Sequence, residues 1–267
     1  MKNVLSIDLE SWVHRDKIEN EQVRKVLDDG FIIKSTNMLL DLLEKYKVKT
    51  TFFVVGEIFD WYPEIVNEIK KMGHELAYHP HTHRLLITKG QLLNELKKSS
   101  DFLNKFNPKG FRAVQIFLRR DYLQVLFRHG FRYDSSIYSP FELCRKVDGI
   151  LEVPVSTYGL CGGRPSLYFP RNLISSIIDG EFPFGSGFSI GLLGSKISSF
   201  IRRVNDEHKP AVLFIHPWQL CSTPKRLQLR SVGMLPYYVN RYRAIETLLA
   251  NYEFYTMSEL VEEIDDG

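Results

Sequence analysis

The stretch Glu75-Leu76-Ala77-Tyr78-His79-Pro80-His81-Thr82-His83 reads as a short buried strand that runs directly into a histidine-rich turn. A helix through the histidines is disfavoured, because Pro80 pushes His79 toward an extended backbone and supplies no N–H of its own. Val4 to Leu9 has the same character: an apolar run whose end carries the acids Asp8 and Glu10. Thr36 to Tyr46 places Met38, Leu39, Leu42, Leu43 and Tyr46 at helical spacing. Thr50 to Val55 is a buried-type strand. The helix that follows, Pro63 to Met72, has proline at its start and Gly73 just past its end, where each is best tolerated. Strand and helix therefore alternate, which predicts βα units around a mostly parallel sheet or barrel.

The alternation continues downstream. Thr88 and Gln91 form a capping box for a helix reaching about Phe106. Further strands are expected at Gly110–Val114, Arg132–Ser135, Leu151–Val155 and Ala211–His216, with a last one near Phe254–Thr256. Helices near Tyr122–His129, Ile197–Glu207 and Tyr238–Asn251 separate them, and Ser156 to Ser195 is rich in glycine and expected to be mostly loop. No internal repeat or linker divides the chain, so residues 1–267 are read as one domain. Asp8, Glu10, His79, Arg112, Asp134 and His216 all fall at or just after strand ends. In a βα barrel those positions converge on one face, where active sites are built.

Composition narrows the function. A net charge of +3 is too small to imply nucleic acid. Between Lys196 and Arg243, however, nine cations face only Asp206 and Glu207; this is either a solvated surface or a basic rim for phosphate or an anionic membrane face. The three cysteines, Cys144, Cys161 and Cys221, are sparse and lack CxxC spacing, which fits reduced thiols rather than a disulfide framework. No apolar run reaches the length of a membrane span. The N-terminus runs into a strand without a signal-peptide layout, so a cytoplasmic protein with peripheral membrane contact at most is expected.

Two imidazoles and a carboxylate can hold a divalent cation and leave positions open. On an extended strand residues 8 and 10 point to the same side, so Asp8 and Glu10 can both face the barrel mouth, one carboxylate joining His79 and His83 and the other free as a base. The HxxxH spacing on its own is equally that of a histidine-rich surface turn. His81 is expected to point elsewhere, toward solvent or a carboxylate.

Ile7-Asp8-Leu9-Glu10, Thr51-Phe52-Phe53-Val54-Val55-Gly56 and Gly73-His74-Glu75 through His83 resemble the opening motifs of polysaccharide deacetylases (carbohydrate esterase family four). Phe131-Arg132-Tyr133-Asp134-Ser135-Ser136-Ile137 and Ile215-His216-Pro217-Trp218 resemble later signatures of an exopolysaccharide-associated subgroup. The resemblance runs from Val4 to about Glu262. It implies an α/β fold, a distorted (β/α) barrel with about seven parallel strands, and metal-dependent removal of acetyl groups from amino sugars. Carried over position by position, Glu10, His79 and His83 match the metal ligands, zinc being the best-suited ion. Asp8 matches the catalytic base, His216 the general acid, and Arg112 the arginine that pairs with the base. Arg112 also reads as a plain structural salt bridge. The sequence departs from the pattern where Glu10 replaces the commoner aspartate, where Val114-Gln115 replaces the usual proline, and at Pro80 and His81 inside the turn.

Other residues carry two readings each. Asp134 either orients His216 or caps the turn made with Ser135 and Ser136. Trp218 either floors an acetyl pocket, stacks on a sugar, or packs in the core. Tyr158, Arg164 and Tyr168 contact sugar hydroxyls or phosphate, or tie down the glycine-rich loop. Trp12 and His14 are candidates for the groove, and Tyr237, Tyr238 and Tyr242 for packing. The expected partner is an acetylated amino-sugar glycan or its lipid- or nucleotide-linked precursor. The competitors are a deformylase or other amide hydrolase, a glycan-binding relative without catalysis, and a scaffold without metal.

Overall fold

A computed structural model describes residues 1–15, 18–160, 167–221 and 235–266. Its centre is a nine-stranded sheet built from β1 (Lys2–Leu9), β2 (Thr51–Val55), β3 (Glu75–His79), β4 (Gly110–Phe111), β5 (Tyr133–Asp134), β6 (Arg145–Val147), β7 (Ile150–Glu152), β8 (Val212–Ile215) and β9 (Glu253–Tyr255). The order is β8-β1-β2-β3-β4-β5-β7-β6, with β9 also on β1. All pairs from β8 to β7 are parallel, and β9 is parallel to β1, so eight strands run one way. Only β6 is antiparallel, as the edge of a hairpin with β7.

Side-chain alternation divides the core into two layers. Leu5, Ile7 and Leu9 of β1 join the large outer cluster beneath the helices. Val4 instead faces inward, with Phe53, Ala77, Tyr133, Leu151 and Val212, and the last helix (Met257–Asp266) closes this interior from below with Met257, Leu260 and Val261. Ser6 and Asp8 continue Val4's side of the strand toward its carboxyl end and are buried. The interior therefore changes from apolar floor to polar mouth along one strand.

No regular strand joins β7 to β8. The gap is bridged instead by the short strand Val155–Ser156, itself paired with Tyr138–Ser139, and by Gly185: Val212 N–H donates to Ser156 Oγ at 2.8 Å, and Phe214 N–H to the Gly185 carbonyl at 2.9 Å. Gly185 N–H in turn donates to Ser156 O at 2.9 Å. This closure makes the barrel a distorted one. It also requires glycine, because a Cβ at 185 would run into the Val212 carbonyl oxygen.

Several elements are shorter than expected. β4 and β5 stop at Phe111 and Asp134 because Arg112, Ser135 and Ser136 turn to side-chain bonding. The capping box at Thr88 is present, but the helix breaks into Lys89–Lys98 and Ser100–Phe106, and the Ser99 hydroxyl between them bonds His81 Nδ1 at 3.0 Å. The region from Ser156 to Ser195 is less loop-like than its glycines suggest, holding helices Leu173–Ile178 and Gly187–Leu193. Among the described residues no helix is long and apolar enough to cross a membrane.

Gly185→Ala should destabilise the fold by about 1–3 kcal/mol, the usual cost of overpacking, read as a lower urea midpoint. An unchanged midpoint contradicts this account of the closure.

Candidate metal centre and active site

Glu10 leaves the end of β1 through a tight turn, its N–H donating to the Asp8 carbonyl at 2.9 Å. His79 is the last residue of β3. His83 returns toward it through a turn closed by His83 N–H to Pro80 O at 3.0 Å. That return uses a left-handed backbone, φ +53° at His83, which non-glycine residues seldom adopt. Glu95 holds it, accepting from Thr82 N–H at 2.7 Å and from the Thr82 hydroxyl at 3.0 Å. Gly56 lets His81 pass close: a Cβ there would strike both the Ser99 hydroxyl and the His81 ring.

The outcome is that one ligand atom each from Glu10, His79 and His83 lies within 4.8 Å of the others. Glu10 and His79 are buried and His83 is half-buried. Each imidazole is held from behind. His79 Nδ1–H donates to the Arg112 carbonyl at 2.6 Å, and His83 Nδ1–H to the His14 carbonyl at 3.4 Å. Carbonyl backing of Nδ1 fixes the tautomer and leaves Nε2 as a bare lone pair.

His83 Nε2 faces Glu10 Oε2, and that oxygen is buried without a hydrogen-bond donor among the described residues. Lone pairs gathered this way repel unless a cation lies between them. The donor set therefore fits a divalent ion with nitrogen and oxygen ligands. Burial alone would raise the Glu10 carboxyl, but His83 and His216 outweigh it and hold the group well below the usual carboxylate range. Burial pushes His79 down to about 4, so it is neutral and able to ligate.

Asp8 and His216 flank this centre. Asp8 Oδ1 accepts from Arg112 Nη1 at 2.7 Å. Arg112 is fully buried; Nη1 also donates to Ser6 Oγ at 2.8 Å, Nε to the Ser135 carbonyl at 3.0 Å and Nη2 to Ser135 Oγ at 2.9 Å. The segment in place of the usual proline turns left-handed at Gln115 and Ile116, φ +57° and +52°. The Arg112–Asp8 pair nonetheless forms.

His216 follows β8. Its Nε2 lies 3.1 Å from Glu10 Oε1, while Gln219 Oε1 takes its Nδ1–H at 3.2 Å and its backbone N–H at 3.0 Å. The extra methylene of glutamate lets one carboxylate meet both His83 and His216.

The structure places each of the other candidate residues. Trp218 is 1% exposed and stacks flat on the His216 ring, centroids 4.4 Å apart, so it positions the imidazole rather than offering a face to sugar. Asp134 takes the capping role: its carboxylate accepts from Ser136 N–H at 3.1 Å and Ser136 Oγ at 2.6 Å. Tyr158 packs edge-on against Phe200 with Arg203 over its ring, and lines a separate hollow with Glu181 and Lys209. Tyr168 bonds Asp179 at 2.6 Å, tying down the loop. Arg164 lies outside the described residues. Trp12 and His14 are buried; His14 stacks on Trp61 and pairs with Glu57 at 3.2 Å, so it backs the site rather than lining a groove. His81 turns away, with Nε2 3.7 Å from Asp60. Within the basic rim, Lys209 pairs with Glu142 and Glu207. Ser135 and Ser136, expected only as turn partners of Asp134, also seat Arg112 and Ala113, and residues not singled out from sequence serve the site too: Gln219, Glu95, and the Arg24–Glu57 pair behind His14. Only Gln219 gave a local signal, standing three residues after His216 at capping spacing.

The family model described as "Polysaccharide deacetylase" matches residues 17–133. Within that stretch the chain is similar to the polysaccharide deacetylase family. A peptidoglycan-N-acetylglucosamine deacetylase from Bacillus cereus is 31% identical over 127 residues, which is 43% of this chain and 44% of that protein. A peptidoglycan-N-acetylmuramic acid deacetylase from Bacillus subtilis is 36% identical over 91 residues, 33% of this chain and 19% of that one. The chain thus spans less than half the length of these curated relatives. The fold matches the crystal structure of a putative polysaccharide deacetylase from Mycobacterium smegmatis, with TM-score 0.58 and 17% identity over 99% of this chain and 90% of that one. The parallel barrel is therefore shared with that structure.

His79→Ala should weaken zinc binding by more than the roughly 10–100-fold typical of outer-sphere changes, read by calorimetric titration with far-UV circular dichroism unchanged. Equal affinity in variant and wild type contradicts the assigned ligands.

Proposed function

We propose that this chain is a metal-dependent deacetylase that hydrolyses the N-acetyl group of an amino sugar in a cell-surface glycan or its precursor. The observation that carries this reading is the meeting of three ligand side chains with two opposed proton-transfer groups, Asp8 and His216, over one buried centre. The printed names of the relatives, peptidoglycan N-acetylglucosamine and N-acetylmuramic acid deacetylases, support an N-acetylated amino sugar as the substrate class.

Glu10, His79 and His83 would hold the ion, zinc being the best match to two imidazoles and a carboxylate. When bound, such an ion supplies Lewis-acid polarisation and activates water. The chain's own residues do the rest. Arg112 fixes Asp8 through Oδ1, leaving Oδ2 to accept a proton from attacking water. Gln219 and the Trp218 ring hold His216 so that Nε2 faces the centre. From there a protonated His216 can donate to the departing amine, a poor leaving group without that proton. A binding module needs a sugar platform more than two proton-transfer groups, and Trp218 is not one.

We infer a cytoplasmic, precursor-level substrate. Among the described residues Cys144 and Cys221 are free thiols, which suits a reducing compartment.

Asp8→Asn should lower kcat for amine release from N-acetylated chito-oligosaccharides by about 10²–10⁴-fold, with metal content retained by elemental analysis. Wild-type turnover by the Asn variant would sink the assignment of the base. Release of formate but not acetate by the wild type would favour a deformylase.

A further inference from the structure

Asp134 and Glu152 stand directly opposite each other on the neighbouring parallel strands β5 and β7. Both are 0% exposed. Like charges facing each other across a sheet repel, and two carboxylates sharing a buried place cannot both ionise at low cost. They also share one donor: Ser136 N–H lies 3.1 Å from Asp134 Oδ2 and 3.2 Å from Glu152 Oε1.

That donor sits in the turn that seats the catalytic arginine. Ser136 Oγ–H donates to Asp134 Oδ1 at 2.6 Å, and the same oxygen accepts from Ala113 N–H at 2.8 Å. Ser135, between the acid and Ser136, gives both its carbonyl and its hydroxyl oxygen to Arg112. The path from Glu152 to the base therefore runs through Ser136, Ser135 and Arg112 to Asp8.

We propose that Glu152 is a positioning residue that shares a single proton with Asp134, and that this carboxyl–carboxylate bridge clamps the turn holding Arg112 against Asp8. The bridge then carries one negative charge and not two, which with Asp8 flanks the buried Arg112 guanidinium. Burial first, then the charge of Asp134 and its hydrogen bond, raise Glu152 well above the ordinary carboxylate range. Burial also raises Asp134, opposed by its bonds to Glu152 and Ser136 and by Arg112. The other titratable groups facing Glu152 are the Cys144 thiol, pushed up by burial to about 12 and hence neutral, and Arg145, its register partner on β6, which is exposed.

The sign of the pH effect follows. A group whose folded value is raised contributes stability that is complete below its unfolded value, about 4.3 for glutamate. That contribution is lost as pH rises through the folded value.

The turnover arm of the test rests on the deacetylase reading; the other two arms do not. Full-length wild type, E152Q, E152A and the double variant D134N/E152Q are compared. Infrared spectra at neutral pH should show a buried protonated carboxylic acid in wild type that is absent in E152Q. Urea midpoints measured upward from about pH 5 should fall more steeply for wild type than for E152Q. On N-acetylated chito-oligosaccharide, kcat should drop about tenfold or more in E152A with KM changed less than about threefold. E152Q should recover most of that loss. The double variant, stripped of the bridge's charge, should not. No protonated acid in wild type, or identical pH slopes for wild type and E152Q, would overturn the shared proton. Equal kcat in E152A and wild type would overturn the clamp. A wild type without turnover would instead overturn the deacetylase reading, with infrared and stability still deciding the bridge.

Discussion

Arg112 is a full positive charge taken completely out of water at the mouth of the barrel. Burying a guanidinium costs several kcal/mol unless its donors are met. Here they are met from two strands, Ser6 and Asp8 of β1 and Ser135 just after β5, while Arg112 itself lies just after β4. Phe53 lies 4.0 Å below the guanidinium and Phe214 5.1 Å away, so ring faces cover what hydrogen bonds do not. The same residue's carbonyl takes the Nδ1 proton of His79. One buried side chain thus orients the base, and its backbone orients a metal ligand.

This arrangement explains why the strands are short where the chemistry is. A strand that continued past Phe111 or Asp134 would commit Arg112 and Ser135 to the sheet ladder. Instead their N–H groups still reach the neighbouring strand, at Tyr78 O and Phe111 O, while their carbonyls turn to the His79 ring and the Arg112 side chain. The left-handed backbone at His83, Gln115 and Ile116 belongs to the same economy of exits, each next to a residue of the site. Glutamate at position 10 adds reach. Its two oxygens face His83 and His216 separately, which places the proposed acid beside the ligand set.

Much of this was legible in the sequence. The period of apolar residues gave the parallel strands, and strand ends gave the convergence of Asp8, Glu10, His79, Arg112 and His216. The Thr88 capping box and the Pro63 start were local rules that the fold obeys. What was not legible depends on partners far away in the chain. Trp218 has the composition of a sugar platform, but its place under His216 depends on packing that no local pattern encodes. Asp134 had two readings, and the facing of β5 and β7 decides what its carboxylate meets. Glu152 carried no motif at all. Tyr158 was grouped with the site by its glycine-rich surroundings, whereas Phe200 and Arg203 hold it elsewhere. The Ser99 break in a good helical pattern exists because its hydroxyl is used by His81.

The central claim is that Glu10, His79 and His83 enclose one cation. Diffraction from zinc-loaded crystals at energies on either side of the zinc absorption edge tests it most directly. The account predicts a single anomalous peak about 2.0–2.2 Å from Nε2 of both histidines and from a Glu10 carboxylate oxygen. An anomalous peak bound elsewhere, or a Glu10 carboxylate turned away from both imidazoles, would contradict it.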